Sequence, residues 1–172
     1  MSGFLLDTNV ISEFNRTGPP NERVKQWLTA TPLDSLYVSV ITLAEIQFGI
    51  ELLPASKRRT QLEAWMEQDF NNWFPGRILP VDADIVKRWA VLTADRQRQG
   101  RPLANFDGLI AATALEHGLT LATRDVDDFR GLGVTLFDPW DALNPSPQWP
   151  QARELEPEPE VNPHDRDDDL DR

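Results

Sequence analysis

The sequence predicts an α/β domain in which a central, mostly parallel β-sheet is flanked by α-helices. Short apolar runs that suit buried strands alternate with longer stretches of helical periodicity along residues 3–137. Acidic residues follow or lie beside several of these runs. Because alternating strands and helices fold into a parallel sheet covered on both faces, the strand ends should gather at one edge of the sheet.

Five short apolar runs have the length and composition of buried strands. They are rich in leucine, isoleucine, valine and aromatic residues, which suit a pleated and buried surface. Each is only four or five residues long, as expected for a small domain. The predicted strands span residues 3–6, 36–40, 78–81, 119–123 and 134–137.

Helices are predicted between the strands, where apolar residues recur at intervals of three and four. Gly18-Pro19-Pro20-Asn21 and Pro75-Gly76 are the clearest breaks between them. Asp82 or Asp84 is predicted to cap one helix, and Asn105 another. In chain order, the predicted helices span residues 10–14, 22–29, 42–53, 57–73, 82 or 84 to 99, and 106–117.

The composition narrows the chemistry that the chain can support. It contains no cysteine, which excludes disulfides, thiolate zinc sites and cysteine nucleophiles, and it contains only two histidines. Oxygen ligands remain, and these suit Mg²⁺ or Mn²⁺. No run of 18 apolar residues and no signal peptide is visible, so we expect a cytoplasmic protein that does not enter a membrane.

Residues 144–172, called the tail below, differ in composition from residues 1–143, which we expect to form one domain. The tail has six prolines and few aliphatic residues, so it is predicted to be disordered. Residues 151–172 hold nine acids and three arginines and contribute −6 of the net charge of −11. Such a charge run is typical of a solubilising tail; the alternative is that it competes with polyanions at the active site.

Four acidic residues, Asp7, Glu45, Asp107 and Asp125, lie near predicted strand ends or helix starts. If the sheet gathers them, their carboxylates repel one another unless a cation holds them, which predicts a divalent metal site. Each also has a local explanation. Asp7 and Glu45 have the positions of helix-capping residues, Glu45 in a capping box with Thr42. Asp107 suits the first turn of a helix, and Asp125 suits a turn.

Six short segments combine these acids with their apolar neighbours in a fixed order. They are residues 5–13 (LLDTNVISE), 39–50 (SVITLAEIQFGI), 100–103 (GRPL), 107–114 (DGLIAATA), 121–129 (LATRDVDDF) and 137–140 (FDPW). Each segment alone is a weak signal, but the ordered set resembles the PIN-domain ribonucleases of the VapC/FitB toxin type. The resemblance spans about residues 3–142 and does not include the tail. It implies a PIN-like fold.

The resemblance also implies an activity and partners. Family members are usually the toxin half of a type II toxin–antitoxin pair: they dimerise, bind Mg²⁺ or Mn²⁺, cleave RNA and are blocked by an antitoxin chain. Their catalytic acids occupy the positions matched here by Asp7, Glu45, Asp107 and Asp125. Many relatives have asparagine at the position of Asp125, so its charge is in question, and Asp128 in the same segment is the competing candidate.

The requirements of phosphodiester hydrolysis suggest roles for these residues. Because Mg²⁺ keeps several waters, a protein needs to supply only two or three direct carboxylate contacts. Asp7 and Asp107 are assigned as direct ligands. Glu45 and Asp125 are assigned to bind through water, to complete a second metal site or to orient the attacking water. The predicted supporting residues are Thr8, Asn9, Ser39, Thr123, Arg124 and Arg16. Ser39 and Thr123 could instead satisfy backbone groups at strand ends, and the two arginines could be solvated surface residues.

Two other classes of protein also fit acids at sheet ends. A phosphoaspartate enzyme of the haloacid-dehalogenase type requires an aspartate two positions after Asp7, where this chain has Asn9. A receiver domain requires a lysine after a late strand, and none of the three lysines is so placed. A non-catalytic PIN-like binding module, acting through a complex with an antitoxin or DNA-binding partner, stays open as the alternative.

Overall fold

The structure is a computed structural model that describes residues 3–141. Five short strands form one sheet in the order β3-β2-β1-β4-β5, and every neighbouring pair is parallel. This confirms the predicted fold class. The strands are β1 (Phe4–Leu6), β2 (Leu36–Ser39), β3 (Ile78–Leu79), β4 (Thr120–Ala122) and β5 (Leu136–Phe137).

The strand order places a change of direction at the centre of the sheet. From β1 the chain builds outward through β2 to β3, and it then crosses back to add β4 and β5 on the other side of β1. Leu6 lies opposite Ala122, and the ladder continues one residue further, where the Asp7 amide donates to the Ala122 carbonyl at 3.0 Å. In open parallel sheets, ligands bind at the carboxyl ends of the strands at such a point.

The helices connect the strands and cover both faces of the sheet. A 3₁₀ turn at Leu33–Ser35 and a π-helical turn at Met66–Phe70 accompany them. The helices are α1 (Thr8–Phe14), α2 (Glu22–Ala30), α3 (Val40–Glu51), α4 (Lys57–Trp65), α5 (Asn71–Trp73), α6 (Ala83–Arg98), α7 (Asn105–His117) and α8 (Val126–Phe129). No helix among residues 3–141 has the length and apolar character needed to cross a bilayer.

Two apolar clusters form the core, one on each face of the sheet. Successive side chains of a strand point to opposite faces, so Phe4 and Leu6 join one cluster and Leu5 joins the other. In the first cluster the Phe4 ring meets the Trp27 ring edge-on, with centroids 5.0 Å apart. In the second, Leu5 packs in the same cluster as the buried Ile110 of α7. Strand β1 is therefore buried on both sides.

The prediction of a single helix over residues 57–73 is wrong, because a π-helical turn at Met66–Phe70 interrupts it. The π turn separates α4 from α5 and places residues five apart on one face. This brings the Trp65 ring edge-on to the buried Phe70 ring, with centroids 5.4 Å apart. The packing of these aromatic rings against the sheet thus favours a widened turn that a regular helical period does not contain.

The predicted caps have mixed outcomes. Asp82 caps α6, since its Oδ1 accepts from the amides of Asp84 and Ile85 at 3.0 and 2.9 Å. Asn105 does not cap α7: it is the first helical residue, and Ala104 precedes it without a side-chain cap. The one-turn helix α8 follows Asp125, in a segment for which no helix was predicted. The predicted tail and the boundary at residue 143 lie outside the described residues.

A glycine on α7 permits the close contact between α6 and α7. A Cβ added at Gly108 lies 2.8 Å from Trp89 Cδ1 and 3.2 Å from Leu103 Cδ2. We therefore expect Gly108→Ala to lower the free energy of unfolding by about 1–3 kcal/mol, because the indole must move. Urea denaturation measures this.

The matched control for that substitution is the exposed Gly49 of α3, where an added Cβ meets no atom within 4 Å. Gly49→Ala should raise the free energy of unfolding by about 0.5–1 kcal/mol, the usual gain of alanine over glycine in a helix. Equal effects of the two substitutions would contradict the steric explanation.

Candidate active site

A cavity of about 530 Å³ opens at the carboxyl edge of the sheet, beside the point where the strand order reverses. It brings together all four acids singled out from the sequence, together with four of the six predicted supporting residues. Residues that are far apart along the chain therefore line the same cavity, as expected if they lie at neighbouring strand ends. The lining residues are Asp7, Thr8, Asn9, Ser12, Glu13, Arg16, Glu45, Asp107, Arg124 and Asp125.

Asp7 is the most buried of the four acids, with 7 % of its side chain exposed. It is the N-cap of α1, and its Oδ1 accepts from the Thr8 amide at 2.7 Å, so the capping explanation of this residue holds as well. Its Oδ2 accepts from Thr123 Oγ1 at 2.6 Å and from Asn9 Nδ2 at 2.9 Å. Both carboxylate oxygens are thus held in fixed directions.

Glu45 projects into the cavity from the middle of α3. Ser39 Oγ accepts from the Ile41 amide at 3.1 Å and starts this helix directly after β2. The capping box between Thr42 and Glu45 is absent, because Thr42 lies inside the helix and its hydroxyl donates to the Leu6 carbonyl at 3.4 Å. Glu45 Oε2 instead accepts from the hydroxyl of Thr8.

Asp107 and Asp125 complete the ring of acids. Asp107 lies in the first turn of α7, and Asp125 precedes α8 without a side-chain cap bond. Asn9 Nδ2 donates to Asp125 Oδ2 at 3.2 Å, so one amide bridges Asp125 and Asp7. Asp128 lines a second cavity on the other side of Asp107.

A buried hydroxyl lies beneath the acids and joins β1 to the segment after β4. Thr123 is fully buried, and besides donating to Asp7 it accepts from Asn9 Nδ2 and from the Asp125 amide, both at 3.0 Å. The supporting role predicted for Thr123 and Asn9 thus has a definite geometry. Ser39, like Thr123, does not line the cavity; its described connection to the site is that it starts α3, the helix that carries Glu45.

The acids perturb one another. The pKa of Asp7 is raised to about 6: burial is the largest cause, the hydrogen bonds from Thr123 and Thr8 oppose the rise, and the charges of Glu45 and Asp107 add to it. Burial also raises the pKa of Asp107, with added repulsion from Glu45, Asp128 and Asp125. Within residues 3–141, no lysine or arginine forms an ion pair with Asp7. The site therefore holds uncompensated negative charge.

The donor set fits a hard divalent cation in its chemistry. All the candidate ligands are carboxylate oxygens, and a buried carboxylate without a cationic partner is a group that a bound cation stabilises. The described part of the chain nevertheless contains no set of three acidic or histidine side chains already arranged to hold an ion. The acids are neighbours around the cavity, and oxygens of Asp7, Glu45 and Asp125 accept from hydroxyl or amide donors.

Two residues of the cavity were not predicted. Glu13 is buried, and its Oε1 accepts from Arg16 Nη1 at 2.8 Å and from the Asn21 amide at 2.6 Å. Burial acts to raise the pKa of Glu13, but these bonds and the charges of Arg16 and Arg124 outweigh it and lower the pKa. Ser12 lies beside Glu13 on α1. Glu13 follows Asp7 by six residues, less than two helical turns, which is the one sequence signal that pointed to it.

Comparison with known proteins identifies the family. A family model described as the PIN domain matches residues 4–134. The chain belongs to the PIN-domain family. This PIN-domain protein is 44% identical over 136 residues to toxin FitB of Neisseria gonorrhoeae, covering 79% of this chain and 97% of the relative. It is 40% identical over 137 residues to VapC ribonuclease Y4jK of Sinorhizobium fredii, covering 80% and 97%.

Solved structures agree with this assignment. The crystal structure of FitAcB from Neisseria gonorrhoeae matches with a TM-score of 0.74 and 44% identity, over 80% of this chain and 98% of the other. A toxin–antitoxin complex from Klebsiella pneumoniae matches with a TM-score of 0.58 and 27% identity, over 81% and 99%. Sequence similarity and structural similarity thus both support the PIN-domain assignment.

The raised pKa of Asp7 predicts a pH dependence of stability. Because the folded-state pKa of about 6 lies above the usual 3.8, protonation favours the folded state. This contribution is complete below about pH 4 and is lost as the pH rises through 6. Between pH 8 and pH 5, it should add about 1 kcal/mol to the free energy of unfolding of the metal-free protein.

Urea denaturation in chelator at both pH values tests this. Asp7→Asn should lack the Asp7 contribution, whereas the control Asp34→Asn, at an exposed aspartate, should retain the wild-type dependence. A wild-type protein and an Asp7→Asn variant with the same pH dependence would show that Asp7 titrates normally.

Thr123 provides a second test of the site. Thr123→Val keeps the side-chain shape but removes the donor to Asp7 and the acceptor for Asn9 and the Asp125 amide. We expect a loss of about 1–3 kcal/mol in the free energy of unfolding and a further rise in the pKa of Asp7.

Carboxyl chemical shifts followed by NMR across a pH titration report that pKa. Thr123→Ser retains the hydroxyl and is the matched control, so its Asp7 pKa should stay near that of wild type. A valine variant whose Asp7 titration is unchanged would contradict the predicted role of this hydrogen bond.

Proposed function

We propose that this PIN-domain protein is a metal-dependent endoribonuclease, the toxin component of a type II toxin–antitoxin system. The observation that carries the proposal is the convergence of Asp7, Glu45, Asp107 and Asp125 on one cavity at the edge of the sheet. It occurs in a chain 40–44% identical to relatives named ribonuclease and toxin. Acids at that place suit hydrolysis of a phosphodiester bond, which needs charge stabilisation and an activated water.

The proposed cofactor is Mg²⁺ or Mn²⁺. Asp7 and Asp107 are the direct ligands, and Glu45 and Asp125 complete the site. The four carboxylates supply only oxygen donors, the kind that these ions prefer. When bound, the cation supplies neutralisation of charge on the phosphoryl oxygens and activation of a water. A bound cation would also offset the cost of holding ionised carboxylates buried and close together, which is what raises the pKa values of Asp7 and Asp107.

The surrounding side chains hold the acids in place for this chemistry. Thr123 and Asn9 fix Oδ2 of Asp7, and the Thr8 hydroxyl fixes Glu45. Asn9 also orients Asp125. Because the donors are rigid and partly buried, the carboxylates reorganise little when a cation or substrate arrives, which favours catalysis through preorganised charge.

Two arginines supply the positive charge that an RNA backbone requires. Arg16 and Arg124 line the same cavity as the acids. Arg16 is paired with the buried Glu13 but keeps half of its side chain exposed, so it can still meet a phosphate. Arginine binds phosphate through paired hydrogen bonds, and we assign both residues to hold the RNA next to the scissile bond.

The proposed partners are RNA, a cognate antitoxin chain and a second copy of this protein in a homodimer. The match to a toxin–antitoxin complex from Klebsiella pneumoniae supports the antitoxin. A cytoplasmic location is the one that these partners require. The non-catalytic alternative, a binding module within a complex with an antitoxin or DNA-binding partner, predicts the same fold without cleavage.

The decisive experiment compares metal binding and RNA cleavage in matched variants. Asp7→Asn and Asp107→Asn should each weaken Mn²⁺ binding in calorimetry and lower the cleavage rate by roughly 100-fold or more, since each removes a charged ligand. The exposed Asp34→Asn serves as the control and should behave as wild type.

Cleavage ends mapped by sequencing after induced expression identify the bonds cut in cells. A wild-type protein that binds an antitoxin but cuts no RNA with any divalent ion would establish the binding-module alternative. Undiminished cleavage by both variants would remove these acids from the active site.

A further inference from the structure

The tail carries a large share of the charge of this protein and lies outside the family resemblance. Residues 142–150 have no charged side chain, and residues 151–172 then carry −6. The relatives FitB and Y4jK are matched over 97% of their length by about four-fifths of this chain, and the PIN-domain match ends at residue 134. The charge is therefore an addition to a domain that those relatives match without it.

The described chain ends at the rim of the candidate active site. The Arg124 guanidinium lies over the Trp140 ring, 5.4 Å from its centroid, and Arg23 Nη1 donates to the Trp140 carbonyl at 3.0 Å. The Trp140 amide donates to Asp138 Oδ1 at 2.8 Å. These contacts hold the end of the described chain beside Arg124, which also lines the cavity.

Within the described part of the chain, Arg23 and Arg124, called the exit arginines below, contact Trp140 and not an acidic side chain. Both are exposed, and within residues 3–141 neither forms an ion pair with an acidic side chain. Other described arginines do form ion pairs, among them Arg59 with Glu51 and Glu63, and Arg98 with Asp95. Exposed and unpaired guanidinium groups are the groups that bind carboxylates or phosphates in pairs of hydrogen bonds.

We propose that the acidic segment 151–172 binds the exit arginines Arg23 and Arg124 of its own chain and competes there with the RNA backbone. The tail then acts as an internal polyanion that shares Arg124 with the RNA backbone. This inference rests on the proposed function for its consequence, while the contact between the acidic segment and the exit arginines stands independently of it.

The connection is long enough for this contact. Residues 142–153 reach roughly 40 Å when extended, and the arginines adjoin the start of that connection. A tethered ligand of this length has an effective concentration of roughly millimolar. Weak carboxylate–guanidinium contacts therefore suffice to occupy Arg23 and Arg124 for much of the time, and RNA must displace them at Arg124.

The first experiment compares two full-length chains for RNA binding. In one, the nine acids of residues 151–172 are replaced by their amides; both carry Asp107→Asn to suppress cleavage. Anisotropy of a labelled RNA should show about tenfold tighter binding by the neutral-tail chain at 50 mM salt, and the difference should shrink to under about twofold at 500 mM. Equal affinities at low salt would overturn the competition.

The second experiment tests the contact without RNA. A labelled peptide of residues 144–172 is titrated into the full-length neutral-tail chain, whose own tail cannot compete. Arg23→Gln and Arg124→Gln should each weaken peptide binding about fivefold, because each removes one guanidinium partner. Lys57→Gln, which removes an exposed cation on α4, is the charge-matched control and should bind the peptide as the parent does.

The outcomes separate the two proposals. Peptide binding that depends on Arg23 and Arg124, in a protein that cleaves no RNA, removes the nuclease assignment and leaves the tail contact standing. No peptide binding, or equal losses for Lys57→Gln and the arginine variants, overturns the tail contact whatever the nuclease assays give.

Discussion

The site depends on the pairing of β1 with β4, two strands that are separated by most of the domain. Their ladder continues through the Asp7 amide, and directly beyond it Thr123 donates to the Asp7 carboxylate across 116 residues of sequence. Because β1 is buried on both faces, a slip in this register would exchange the side chains that fill the two core clusters, and it would part Asp7 from Thr123. The energy that stabilises the core thus also sets the spacing of the acids.

Placing these acids close together in a partly buried site lowers the stability of the domain. A buried carboxylate with a raised pKa is less stable ionised than it is in water, and neighbouring negative charges add to the strain. The domain tolerates this because Thr123, Asn9 and the Thr8 amide donate to Asp7. The divalent cation of the proposed function would remove the same penalty, so affinity for that cation and instability without it would have one physical origin.

The parts that the sequence predicted are those governed by local pattern and by sheet topology. Alternating apolar runs indicated the parallel sheet, and strand ends indicated that Asp7 and Asp125 would approach each other. The π turn at Met66–Phe70 was missed because it follows from ring packing against the sheet, which no helical period contains. Glu13 was missed because its spacing from Asp7 is a weak signal and its burial depends on its partners, Arg16 and the Asn21 amide.

The net charge of the whole chain is a poor guide to how the proposed nuclease would bind RNA. The chain is strongly acidic, yet more than half of the excess lies in residues 151–172, and the remaining charge is unevenly placed. Arg16 and Arg124 border the cavity whose floor holds the carboxylates. In the proposed nuclease, a phosphate backbone would meet these cations first and the acids only where a divalent ion neutralises them. That order would draw RNA to the rim and restrict its close approach to the metal-loaded protein.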